Sequence, residues 1–386
     1  MALSKFEHVK ISGISVVVPE KEINIYDEAE YYGGSIKKID RMRKMVGFWK
    51  RRVVDEDVTA SDLSIQAAER LIKDMNIDKN SIDCLIYVVQ RPDYSAPATA
   101  FYIHDKLKLP NSCAAMDIHQ GCPGWVYGLW TASQMIESKA CKKILLLVGD
   151  TPSAGMDLSN RISAPVFGDG GVATLVEYSE EKIISHYNLE TQSKDYEAII
   201  NPASGARLHF KRNDDEFNAK LLKPIKTPSG YETKLSYGYM DGLAVFDFTI
   251  NQVPKSIKKL MEYANIKPDQ TEKLLLHQAN KQIVQAVATA CGYPEEKAPY
   301  DAFENFGNNT MCSIPTTINY LYSNNINKDT QFICSAFGNG LAVATTSLKL
   351  SKDIYLSGVK DFVKPKNHPT AEALIKYWTH KLEGKQ

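Results

Sequence analysis

A duplicated α/β architecture is the fold class that this sequence predicts, and three observations carry that reading. Short apolar runs rich in β-formers, such as 84-CLIYVVQ-90, 143-KILLLVGD-150 and 331-QFICSAFG-338, alternate with helical patterns such as 61-SDLSIQAAERLIKDMNI-77. That alternation builds sheets covered by helices, with strands buried on both faces. A stretch at 67–90 recurs at 256–279, pairing Asn76 with Asn265, Ile77 with Ile266, Asp83 with Glu272 and Leu85 with Leu274. Finally, 386 residues, 44% of them hydrophobic, are enough for two domains or one large duplicated unit.

In chain order, the reading gives a first half over 1–178, a connecting segment over 179–240, a second half over 241–350 and an extension over 351–386. The connecting segment includes the polar stretch 205–217, expected as an exposed loop. The extension reads as a Pro/Lys linker and then a helix with Leu374, Trp378 and Leu382 on one stripe, expected to dock onto its own domain.

Charge and cysteine usage exclude several classes. The 46 basic and 46 acidic residues cancel, so no field favours nucleic acid or an anionic membrane. No apolar run approaches bilayer length and the start, MALSKFEHVKISG, lacks a secretory pattern, so the cytoplasm is the expected location. Seven cysteines without a CxxC pair argue against both a disulfide framework and a zinc site, and no metal is expected.

The chemistry-bearing turn is 121-GCPG-124. Pro123 suits the first helical position, where its missing N–H has no partner, which puts Cys122 at the N-cap. The positive helix end there predicts a thiol pKa below the usual value of about 8.5. Position alone leaves the question open, because cysteine is also a common small core residue. In the repeat register, 307-GNNTMCSIPTTI-318 matches this turn, so Asn308 and Cys122 occupy equivalent helix starts. His277 ends the strand pattern 273-KLLL-276 ahead of a helix over 278–290. A lone histidine or asparagine at such places is ordinary, but the three polar groups can converge at the seam between the halves, outside the strand ends.

With these residues the chain resembles the β-ketoacyl-acyl-carrier-protein synthase III group of thiolase-like condensing enzymes, from about residue 8 to residue 350. The likeness rests on Gly121-Cys122-Pro123-Gly124, 167-FGDGG-171, Tyr239-Met240-Asp241-Gly242 with Val245-Phe246, His277-Gln278-Ala279-Asn280, Gly307-Asn308 and Phe337-Gly338-Asn339-Gly340, in that order. It implies a thiolase-like fold of five layers, αβαβα, and a homodimer. The implied catalytic residues are Cys122 as nucleophile with His277 and Asn308, and the implied oxyanion hole is the backbone N–H groups of Cys122 and Asn339. Arg161 and Asn280 are implied substrate-binding residues, Arg161 toward coenzyme A phosphates. The implied reaction is decarboxylative condensation of an acyl thioester, on coenzyme A or acyl-carrier protein, with a malonyl thioester; these are substrates, and no cofactor is required.

The departures are specific. Arg41 and Met45 precede 47-GFWKRR-52 where the family usually has a tryptophan and an arginine that hold the nucleotide. Asp247 and Gln282 stand at basic carrier-docking positions, while Arg41, Arg43, Lys44 and Lys281 offer charge differently. Trp125, Phe303 and Met311 are candidates for the acyl-pocket wall. Two further readings share the fold: a cysteine-dependent acyltransferase making an ester or amide, disfavoured by Asn308, and a noncatalytic acyl-binding subunit, disfavoured by Cys122. Gln90 stands where related enzymes place a glutamate base, and a neutral amide cannot abstract a proton from an acyl donor. A nucleotide-binding oxidoreductase fails because Gly338-Asn339-Gly340 lacks the third glycine and 341–350 continues as strand.

Overall fold

The computed structural model describes residues 2–156, 160, 164–211, 213–227, 232–323 and 326–384. Eleven strands form its two main sheets: β1 (Ala2–Phe6), β2 (Val9–Val18), β3 (Cys84–Val89), β4 (Ala114–His119), β5 (Lys143–Asp150), β6 (Gly170–Tyr178), β7 (Ser185–Thr191), β8 (Lys273–Leu276), β9 (Thr330–Gly338), β10 (Ala342–Leu350) and β11 (Tyr355–Asp361). The helices are α1 (Ile36–Val46), α2 (Ala60–Asp74), α3 (Thr99–Leu107), α4 (Gly124–Glu137), α5 (Asp215–Leu222), α6 (Gly242–Ala264), α7 (Lys281–Ala290), α8 (Asp301–Phe306), α9 (Ser313–Leu321) and α10 (Ala371–Leu382).

One sheet runs β11-β2-β6-β5-β3-β4 and the other β1-β7-β10-β9-β8. The pairings repeat: β3 and β5 are parallel, as are β8 and β9, and each pair continues into an antiparallel strand, β6 or β10. Both faces of the sheets are covered. Along β3, Cys84, Ile86 and Val88 join the central core, while Leu85, Tyr87 and Val89 face the layer of α2 and α3. In β8, Leu275 points to the central core and Leu274 and Leu276 toward α6 and α7. The central core contains residues of α4 and α9 between the two sheets, which completes the αβαβα stack.

The repeat read from the sequence is visible in the backbone. Asn76 ends α2 and Asn265 ends α6, both in the left-handed region with φ of +50° and +52°, a conformation that asparagine tolerates. The next residue closes each turn the same way: Ile77 N–H donates to the Ile72 carbonyl and Ile266 N–H to the Met261 carbonyl, each at 2.9 Å.

The linear boundaries do not coincide with the sheets. β1, from the first half, pairs with β7, a strand within the 179–240 segment, and both lie in the second sheet. β11, beyond residue 350, pairs in parallel with β2 in the first sheet. Edge strands take the partner that tertiary packing offers, which local patterning does not encode. The extension's last helix also differs from expectation. Leu374, Ile375, Trp378 and Leu382 are all exposed, and α10 buries no residue. Its tether is local: Ala371 N–H donates to Asp57 Oδ1, and His368 contacts the Asp57 carbonyl at 2.9 Å.

Candidate active site

Strand β4 leads into α4 through Gly121, Cys122 and Pro123. The helix starts at Gly124, with Pro123 as its cap, so Cys122 lies one residue before the N-cap position expected for it. Small residues let the helix descend onto the sheet: a Cβ on Gly128 would stand 2.6 Å from a Leu146 methyl. A glycine inside a helix costs about 1 kcal/mol relative to alanine, offset here by the close packing it permits. At the far side, Gly338 ends β9 with φ +148°, and a Cβ there would fall 3.0 Å from both Cβ and Sγ of Cys122. Only glycine leaves the thiol this space.

Cys122, His277 and Asn308 line one cavity of about 420 Å³, together with Asn339, Asn280 and Gln90. That volume is in the range of small-molecule sites. The structure therefore brings the catalytic candidates together from β4/α4, the end of β8 and the turn before α9. Arg161 lies outside the described residues.

The thiol is not the acidic one that the helix start suggested. Burial pushes the Cys122 thiol up to about 12, and the Asp150 carboxylate pushes the same way. The backbone N–H groups of Asn339 and of Cys122 itself act on the sulfur in the opposite direction, and are outweighed. A helix end acts over one turn, whereas desolvation acts on the whole side chain. The same two N–H groups are the expected oxyanion hole, and Asn339 lines the cavity with Cys122.

His277 is buried, its Nδ1 is 2.9 Å from Ser313 Oγ, and its ring meets Phe337 edge-to-face at 5.4 Å. Burial lowers its pKa to about 4, against the Thr310 carbonyl, which favours the charged form. The imidazole is therefore neutral near pH 7. Asn308 is held by two bonds across the seam and one within its own turn: its N–H donates to the Val166 carbonyl at 2.7 Å, its carbonyl accepts from Gly168 N–H at 3.1 Å, and its Oδ1 accepts from Thr310 N–H at 2.9 Å. The Oδ1 bond fixes the carboxamide, and Nδ2 donates to no described residue. Thr310 takes φ +51° to make this turn.

Asn280 caps α7, its Oδ1 accepting from Ile283 N–H at 2.8 Å, so its structural role is plain while it also lines the cavity. The basic motif near residue 50 is largely used internally: Arg51 forms a buried bidentate pair with Glu28 at 2.6 and 2.8 Å, and Arg52 bonds Asp361 at 2.7 Å. Arg43, Lys44 and Lys281 instead line a surface depression between α1 and α7, and Arg43 stacks over Trp49 at 4.4 Å. The three proposed wall residues are elsewhere. Trp125 is buried with its Nε1 donating to Thr174, Met311 is in the central core, and Phe303 packs on Phe48. Residues missed in the sequence include Ser313, Arg91 and Asp150; a charged residue closing the apolar run 143–150 was the available signal for Asp150.

The comparisons with known proteins agree with one another. The profile of 3-oxoacyl-[acyl-carrier-protein (ACP)] synthase III matches residues 116–193, and that of its C-terminal part matches 261–350. A Campylobacter jejuni protein provisionally named 3-oxoacyl-[acyl-carrier-protein] synthase 3 is 35% identical over 94% of this chain and 99% of its own. The chain belongs to the 3-oxoacyl-[acyl-carrier-protein] synthase III family. The β-ketoacyl-[acyl-carrier-protein] synthase III of Streptococcus agalactiae is 30% identical over 78% of this chain and 88% of its own. The crystal structure of a Burkholderia xenovorans 3-oxoacyl-(acyl-carrier protein) synthase superposes with a TM-score of 0.83 at 30% identity, covering 93% of this chain and 99% of that one. As a synthase III, the chain is an acyl-transferring condensing enzyme with the thiolase-like fold.

Proposed function

We propose that Cys122 takes the acyl group from an acyl thioester of coenzyme A or acyl-carrier protein, and that a malonyl thioester, after losing CO2, attacks that acyl-cysteine to give a β-ketoacyl thioester. The observation that carries this assignment is the convergence of Cys122, His277 and Asn308 on one cavity, which Asn339 also lines. A thiol raised to about 12 keeps its proton, so acylation needs a base as the sulfur attacks the carbonyl. Neutral His277 takes that proton and returns it to the departing thiol. In the second step His277 and the unspent Nδ2 of Asn308 donate to the enolate oxygen that forms as CO2 leaves. Preorganised donors of this kind contribute roughly 3–4 kcal/mol each. The two steps need opposite tautomers of His277, and the Ser313 hydroxyl can accept from Nδ1 or donate to it.

No resident cofactor enters this chemistry. The depression lined by Arg43, Lys44 and Lys281 also holds Asp40 and Glu304, and its excess of cations supports docking of an anionic carrier or nucleotide. A homodimer in the cytoplasm follows from the family resemblance; among the described residues no helix is long and apolar enough to cross a membrane. The test is intact-mass screening of the protein against acyl thioesters on both carriers, followed by addition of a malonyl thioester. Acyl adducts on Cys122, then CO2 release and a β-keto product, are expected. Transfer of the acyl group to an alcohol or amine without CO2 release would overturn the reading.

A further inference from the structure

The cavity wall on the β3/β5 side carries charge that an alkyl chain cannot use. Gln90 and Arg91 follow the end of β3, Asp150 ends β5, and all three line the cavity with Cys122. Their closeness to the thiol is direct: Asp150 acts electrostatically on Cys122, and Gln90 Oε1 is 3.1 Å from where a Cβ on Gly121 would stand. Arg91 in turn acts electrostatically on Asp150 and lines the same cavity.

The guanidinium's place depends on a glycine. A Cβ on Gly155 would stand 2.5 Å from Arg91 Nη1 and 3.2 Å from Cζ. Among the described residues the Arg91 side chain donates no hydrogen bond. Five N–H donors in a rigid fork are thus available, more than balancing the charge of Asp150 requires. By contrast the cavity wall from α1, α6 and α7 is apolar, with Met42, Val46, Val245, Phe246 and Ile283.

An alkyl terminus pressed against this wall would strip water from Arg91 and Asp150 and give nothing back. A carboxylate would accept two parallel N–H bonds from the guanidinium fork. We propose that the acyl group received by Cys122 ends in a carboxylate, the substrate being a short dicarboxylic acid held as a monothioester, with Arg91 clamping the free carboxylate beside Gln90.

The inference rests on acyl loading at Cys122 as proposed above. It is tested by the loading rates of succinyl and butyryl groups, equal in carbon count, each presented on coenzyme A and on acyl-carrier protein and read by intact mass. Succinyl is expected to load at least about tenfold faster in the wild-type chain, since sites built to hydrogen-bond a substrate group discriminate strongly against analogues lacking it. Arg91→Ala should remove that preference, bringing the succinyl-to-butyryl ratio to about one or below, and Arg91→Lys should keep part of it. Arg91 is exposed, so these variants keep the fold. Butyryl loading that equals or exceeds succinyl loading in the wild type, or an unchanged ratio in Arg91→Ala, would overturn the inference alone. Failure of every acyl thioester to load would bring down the parent reading with it.

Discussion

The entry to α4 and the entry to α9 hold matching places in the two halves, yet they present opposite chemistry to the shared cavity. The first goes from β4 through Gly121 and Cys122 straight into a 14-residue helix and offers a nucleophile. The second inserts a turn of 3-10 helix at Thr310–Cys312 before a 9-residue helix. Its Thr310 N–H is spent on Asn308 Oδ1, which leaves Nδ2 to donate, and the following Ser313 bonds His277. The copies diverged at the turn and in its approach, since β4 leads into α4 whereas α8 precedes the turn before α9 and β8 remains the sheet edge. One turn exposes a reactive atom; its counterpart supplies donors.

The largest test of that division removes the reactive atom. Cys122→Ala should abolish any acyl adduct in intact-mass spectra, with the fold unchanged by circular dichroism. Next come the donors. In Asn308→Asp and His277→Ala, malonyl decarboxylation should fall about 100- to 1000-fold, the usual scale for losing one oxyanion donor. Acyl loading should suffer less in Asn308→Asp than decarboxylation does. An equal loss of both steps there would erase the contrast between the two turns.

The smallest effect concerns the thiol itself. With its pKa raised to about 12, Cys122 is protonated at neutral pH, so its alkylation by iodoacetamide should quicken about tenfold for each pH unit from 7 to 9. The rate should show no plateau below about pH 11. A plateau near pH 8 would mean that the helix end outweighs burial after all.

Sequence reasoning reached the scaffold because its signals are local. The Asn76/Asn265 repeat ends two helices with the same left-handed residue, and β3 and β8 follow from apolar runs. It failed for β1 and β11, whose partners lie far away in the chain. Cys122, His277 and Asn308 are ordinary one by one and were readable through the repeat register and the ordered family motifs around them. Ser313, Arg91 and Asp150 are common residue types whose significance comes from what they face. The thiol pKa was misread for a related reason: a helix start is written in neighbouring residues, whereas desolvation and charge at the sulfur depend on groups distant in the chain, such as Gly338 and Asp150. Likewise, the stripe on α10 records amphipathicity without saying whether anything covers it.

Asn308 is stitched to Val166 and Gly168 and forms a bridge with Phe167, so a residue from late in the chain is framed by a segment made much earlier. During synthesis the cysteine therefore emerges long before the groups that would set it to work. A ribosome-bound nascent chain that stops short of Asn308 carries the sulfur without its frame, and turnover begins only when the later copy folds against the earlier one.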